Sequence, residues 1–210
     1  MKKIIAVFAA LCLAAAVFAQ SAEQILAKME EAMTAHENEG IAMTVEAKIP
    51  IVGTMSTRAY TLGNKTKVIA TVHGVDVVSW DDYDSNTSWT YNSKSNKVQI
   101  TSSATAAKAG EDSGDMEMFT GIAAGYDVSI KKETDSYWYI LAKKSITNKD
   151  KDAPKTMEIV VRKRNYYPAA LSAKVYTFTM TMKDISFGVK ESDVTFNPAD
   201  YPDATIEDKR

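Results

Sequence analysis

Residues able to do chemistry are few in this chain, and their surroundings argue against most reactions. His36 and His73 have no serine nucleophile, metal partner or orienting acid patterned around them. Asp82-Tyr83-Asp84-Ser85-Asn86 opens like a calcium loop, but such a loop needs glycine at its sixth position and glutamate at its twelfth. Thr87 and Ser93 stand there instead, so a polar hairpin turn accounts for these residues better. Glu111 and Asp112 could in principle do glycoside chemistry, yet they lie among small residues, where solvation is the expected role. The single cysteine, Cys12, lies in an apolar N-terminal run. Leu11 precedes it where lipid attachment needs a small residue. No enzyme activity, metal or cofactor is expected.

Soft apolar side chains are plentiful. Ten methionines are present, and Met29, Met33, Met43, Met55, Met116, Met118, Met180 and Met182 fall mostly at positions expected to face inward. A flexible thioether arm suits a ligand without directional groups, and equally suits an ordinary core. Trp80, Trp89, Tyr91 and Phe178 are core residues first and cavity walls second.

These side chains need elements to position them. Residues 1–19 read as a cleaved secretory signal: Lys2 and Lys3, an apolar run from Ile4 to Val17, then Val17-Phe18-Ala19 before Gln20. The run is short for a membrane span, and no later segment is long and apolar enough for one. Residues 20–210 then form a single domain without cysteine. The net charge of −2 and scattered lysines exclude the basic stripe of a nucleic-acid binder.

Ser21-Ala22-Glu23-Gln24 is a capping-box pattern, followed by Ile25, Leu26, Met29, Ala32 and Met33 at helical spacing. This helix should end before Gly40. Strands are expected near 41–49, 53–62, 65–72, 75–80, 88–92 and 97–102, with polar or glycine turns between them. A polar loop follows. Met116, Met118, Phe119, Ile122 and Ala123 then make a short apolar helix between Gly114 and Gly125. Further strands are expected at 126–133, 137–144, 157–164 and 169–187. In the last region Tyr176, Phe178, Met180 and Met182 alternate with Thr177, Thr179, Thr181 and Lys183, giving one apolar and one wet face. The connections are too short for helical crossovers, so the sheet should be antiparallel. The expected class is mainly β with α: a strongly curved antiparallel sheet, an incomplete β-barrel, covered by the N-terminal helix and the short inserted one.

The last eighteen residues, from Asp193 to Arg210, carry a Phe196-Asn197-Pro198 strand end and close on Asp208-Lys209-Arg210. With Ser88-Trp89-Thr90-Tyr91-Asn92 and Met116-Glu117-Met118-Phe119, in that order, the chain resembles the LolA family of periplasmic outer-membrane lipoprotein carriers. The resemblance implies a half-barrel sheltering the acyl chains of lipoproteins, with an inner-membrane release complex and an outer-membrane acceptor as partners. It also implies a periplasmic monomer without stable membrane insertion. The implied cavity walls and lid are Met29, Met33, Met43, Met55, Trp80, Trp89, Tyr91, Met116, Phe119, Ile122, Phe178, Met180 and Met182. Motion is expected in the segment bounded by Gly110, Gly114, Gly121 and Gly125. The family's cavity-facing arginine falls near Leu62-Gly63-Asn64, where no arginine stands; Arg58 lies several residues earlier. A lipid-binding or sensing protein on the same half-barrel, without lipoprotein transfer, is the alternative.

Overall fold

The computed structural model describes residues 20–51, 53–103, 121–151, 153–175 and 177–210. Helix α1, Ala22–Thr34, starts as its capping box requires. The Gln24 N–H donates to Ser21 Oγ at 3.3 Å, and the Ser21 N–H donates to Gln24 Oε1 at 3.0 Å. Its apolar stripe, Ala22, Ile25, Leu26, Met29 and Met33, is buried. Gly40, at φ +68°, turns the chain into the first strand. A Cβ there would lie 2.6 Å from the Thr61 carbonyl oxygen and 2.9 Å from Val189 Cβ, so close approach as well as backbone angle demands glycine.

The strands are β1 Ile41–Ile49, β2 Gly53–Leu62, β3 Lys65–Val72, β4 Val75–Asp82, β5 Thr87–Asn92 and β6 Lys97–Ser102. They continue as β7 Tyr126–Glu133, β8 Tyr137–Lys144, β9 Thr156–Arg162, β10 Pro168–Val175, β11 Phe178–Phe187 and β12 Thr205–Asp208. All belong to one sheet in the order β12-β6-β5-β4-β3-β2-β1-β11-β10-β9-β8-β7. The ends β12 and β7 do not pair, so the sheet is an open, curved one and not a closed barrel. The pairing of β1 with β11 joins the two meanders.

Two details of the C-terminal segment differ from expectation. The strand expected from Asp193 to Phe196 is a single helical turn, α2 (Glu191–Val194), followed by an extended Thr195. The Lys190 N–H donates to Asp193 Oδ2 at 2.9 Å, so Asp193 serves the turn's start. In addition, β12 pairs with β6 in parallel, the one exception to antiparallel pairing among the described strands. The 3-10 turn Pro198–Asp200 and the residues after it carry the chain back before it joins the edge.

Cross-strand partners point to the same face of a sheet, so the registers sort every side chain. The inner face carries α1. There Met43 and Ile41 of β1 join Ile140 and Ala142, Met157 and Ile159, Leu171, Ala173 and Met182 in one buried cluster with the α1 stripe. The 3-10 turn Ile122–Gly125 adds Ile122 to that cluster. Tyr166 ties α1 down: its hydroxyl donates to Gln20 Oε1 at 3.1 Å and accepts from Lys28 Nζ at 3.4 Å. The Tyr166 phenol is held below its usual range, first through its hydrogen bond with Gln20 and then through Lys28.

Candidate functional site

The inner face changes character along the sheet. From β7 to β11 it is packed under α1. Beyond the helix it continues across the far half of β1 onto β2, β3 and β4. There Val45 and Ala47 are in register with Thr57 and Met55, Ile49 is opposite Gly53, and Thr57 and Ala59 continue to Ala70 and Val68 and then to Val77 and Ser79. On the other side of β1, Val45 is opposite Met182 and Ala47 is opposite Met180. Most of these side chains are neither buried nor fully exposed, and Met55 is exposed. Branched and small side chains dominate because they fit a pleated, half-covered surface. From Val45 to Ser79 this strip carries no charged side chain on the inner face.

Polar character returns at β5 and β6. Asp81 on β4 accepts a hydrogen bond from Ser88 on β5, and Thr90, Gln99 and Lys97 follow on the same face. The apolar strip is therefore bounded by a packed core on one side and a polar margin on the other. Such a surface can hold flexible hydrocarbon through dispersion and water release, without directional bonds. On this face Tyr126 lies at the outer edge strand; burial pushes its phenol up, and Asp150 adds to the shift.

The sequence-derived candidates separate into three groups. Met29, Met33, Met43, Met182 and Ile122 are buried in the cluster beneath α1. Met55, Phe178 and Met180 lie on the inner strip. Trp80, Trp89 and Tyr91 do not join them. Trp80 pairs with Trp89 and with Lys67, and Tyr91 pairs with Val78, all on the outer face. Met116 and Phe119, with the part of the expected moving segment before Gly121, lie outside the described residues.

The outer-face aromatics have their own cover. Phe196 stacks on Trp89 with ring centroids 5.7 Å apart and meets Trp80 edge-on at 5.3 Å. Tyr201 lies 4.4 Å from Tyr91 and 5.7 Å from Trp80. Burial pushes the Tyr201 phenol up, with Asp200 and then Tyr91 adding to the shift. The Phe-x-Pro element thus closes a second small core on the back of β4 and β5. The buried indole N–H of Trp80 has no hydrogen-bond partner among the described residues. At the end of the chain, Arg210 grips Asp208 through Nη2 at 2.6 Å and Nε at 3.0 Å. This holds the Asp208 carboxyl down at about 2.

Arg58 is also an outer-face residue. Its Nη1 donates to the Asp184 carbonyl at 2.9 Å and to Thr44 Oγ1 at 3.3 Å. Asp184 adopts φ +52° where the β1–β11 register slips, and the guanidinium braces that bulge. It therefore points away from the strip and cannot take the part of a cavity-facing arginine. The calcium-like loop is a turn: Asp82 Oδ1 accepts the N–H groups of Asp84 and Ser85 at 3.0 and 3.1 Å. His36 stacks on Phe187 at 4.7 Å, bonds the Tyr167 hydroxyl and sits 2.9 Å from Glu39, closing the end of the core by α1.

Sequence reasoning passed over Val45, Ala47, Ile49, Val68, Ala70 and Val77, which make up much of the strip. The signal of the first three was present as period-two alternation in β1, but medium-sized branched residues look the same in a core and on a ligand surface.

No family model and no curated protein sequence matches the chain. Among solved structures it is similar to LprF from Mycobacterium bovis, at 10% identity over 86% of this chain and 99% of that one, with a TM-score of 0.51. It is also similar to the Mycobacterium tuberculosis lipoprotein LppX, at 12% identity, 81% and 98% coverage and a TM-score of 0.46. A LolA superfamily protein from Nitrosomonas europaea matches at 10% identity, 85% and 99% coverage and a TM-score of 0.30. At such identities the likeness is one of fold. The chain shares the fold of LprF.

Proposed function

We propose that this chain is a LolA-like, non-enzymatic periplasmic carrier that shelters acyl chains on the inner-face strip. The cargo is the acylated N-terminus of outer-membrane lipoproteins, received from an inner-membrane release complex and handed to an outer-membrane acceptor. The observation that carries this reading is the uncharged apolar strip continuing past α1 across β1 to β4. Each methylene withdrawn from water is worth about 0.8 kcal/mol. A fully enclosed pocket would therefore bind several chains almost irreversibly, whereas a half-covered strip leaves part of each chain in contact with water and lets the cargo go. Thr57 and Ser79 within the strip weaken its grip further.

One observation favours the alternative, lipid binding or sensing without lipoprotein transfer. No arginine stands near Gly63, and Arg58 faces outward, so an arginine lock on the lid is not available from either position. Mass spectrometry of lipid extracted from natively purified protein separates the readings. Acylated lipoprotein peptides support the carrier and free lipids support the sensor. A protein free of both, under conditions that retain lipid on a known carrier, counts against each.

A further inference from the structure

We propose that the end of the sheet where β1 and β10 finish and β2 and β11 begin, with Ile51 beside it, is a membrane-docking tip that recognises anionic phospholipid surfaces. Ile51 stands at this tip fully exposed, immediately after Pro50. It also adopts φ +73°, a backbone conformation that a β-branched residue tolerates badly. A polar residue or glycine would be more stable there and more soluble, so the isoleucine works against both folding and solubility. Insertion into hydrocarbon gives that side chain a favourable place to go.

The charges beside it point to the chemistry of the surface. Lys174, Thr179, Lys48 and Thr54 are successive cross-strand partners on the outer face. Strand spacing puts the two lysine backbones about 10 Å apart. They border a cleft of about 540 Å³ that extends to Ile49, Ile51 and Thr177 and has no acidic residue in its lining. One step further from the tip, Glu46 is already engaged by Lys183 at 2.8 Å. Lys48 and Lys174 have no ion-pair partner among the described residues and stand on either side of an uncharged threonine. An exposed aliphatic side chain beside two uncompensated ammonium groups matches the acyl and phosphate layers of an anionic bilayer.

The tip lies at the same end of the sheet as Phe178, Ile49 and Met55 of the inner strip. Docking therefore brings the open end of the strip to the lipid surface. The inference goes beyond acyl-chain carriage, because the tip would dock whatever the strip holds.

The test is flotation of the protein, as purified from the expressing cell, with vesicles of phosphatidylcholine alone or mixed with phosphatidylglycerol. All variants share the same amino terminus, so differences between them report the tip. Wild type should float with the mixed vesicles, more weakly with the neutral ones, and less as salt is raised. Removing both charges by Lys48→Ala and Lys174→Ala should cut binding to mixed vesicles about thirtyfold, roughly fivefold per lysine. Ile51→Asn should cut it at least about tenfold. Asparagine accepts the positive φ, so its thermal stability should equal or exceed wild type, which separates lost docking from lost folding. Equal binding to both vesicle types, or wild-type binding by either variant, overturns the proposal, as does the absence of any vesicle binding by wild type.

Discussion

Replacing Phe196 by alanine removes the residue that closes the outer-face core, and its cost can be worked from its contacts. The ring meets Trp80 at 5.3 Å and 66°, Trp89 at 5.7 Å and 20°, and Tyr201 at 6.1 Å and 21°. Each geometry is in the range where an aromatic pair contributes about 0.5–1.5 kcal/mol beyond burial. The three share one ring and do not add fully. Phe196 is only partly buried, which puts the whole substitution at the lower end of the usual Phe→Ala range, about 3 kcal/mol. For a domain of this size that corresponds to a fall in Tm of about 6–12 °C. Urea unfolding followed by tryptophan fluorescence gives the value as a lower midpoint at unchanged slope. The emission of folded Trp80 and Trp89 should also shift to the red as water reaches them, while Trp138, stacked on Tyr166 under α1, should not change. Phe196→Leu should recover part of the loss. A cost below about 0.5 kcal/mol, the range of an ordinary surface substitution, would refute the view that the C-terminal segment locks β4 and β5.

Three further outcomes follow from single sites. Gly40→Ala should cost about 3 kcal/mol or more, since the methyl meets the Thr61 carbonyl at 2.6 Å on a backbone of φ +68°; equilibrium unfolding measures it. The Asp208 carboxyl should titrate at about 2 by carboxyl-carbon NMR and return toward the ordinary aspartate range in Arg210→Ala. Its folded value lies below its unfolded value, so the pair stabilises the folded state fully above about pH 4. That contribution is lost as the pH falls from there through about 2. Arg58→Ala should leave acyl-chain binding unchanged, because the guanidinium braces the Asp184 bulge on the outer face; displacement of a fluorescent fatty acid reads this directly.

Much of the fold was legible because local rules agreed with one another. The capping box at Ser21 and the stripe from Ile25 to Met33 defined α1. Period-two alternation between glycine and asparagine turns located the strands to within a few residues. The inner facing of Phe178 and Met180 was legible too, since Thr177 and Thr179 alternate with them. Facing was not legible in β4 and β5. Alternation says that Trp80, Trp89 and Tyr91 differ from their neighbours, but not which side of the sheet is inner. They look like cavity walls until Phe196 and Tyr201 are known to cover the back of these strands, a contact between residues more than a hundred positions apart. The parallel pairing of β12 escaped for the same reason, since no local signal sets the direction in which an edge strand returns. Asp193 reads as the start of a strand only until its side chain is seen capping a helical turn. Ile51 was passed over because a single apolar residue in a turn looks incidental until its exposure and its two lysine neighbours are known.

Affinity for a fluorescent fatty acid in Met180→Glu and Thr179→Glu tests the central claim most directly. The two positions are adjacent in sequence and opposite in facing, with Met180 in register with Ala47 on the strip and Thr179 in register with Lys48 outside it. A carboxylate at 180 would have to lie against hydrocarbon, so affinity should fall at least about tenfold. At 179 it should stay within about twofold of wild type. Equal losses in both variants, or a wild-type protein that does not bind the fatty acid, would contradict the assignment of the inner strip as an acyl-chain site.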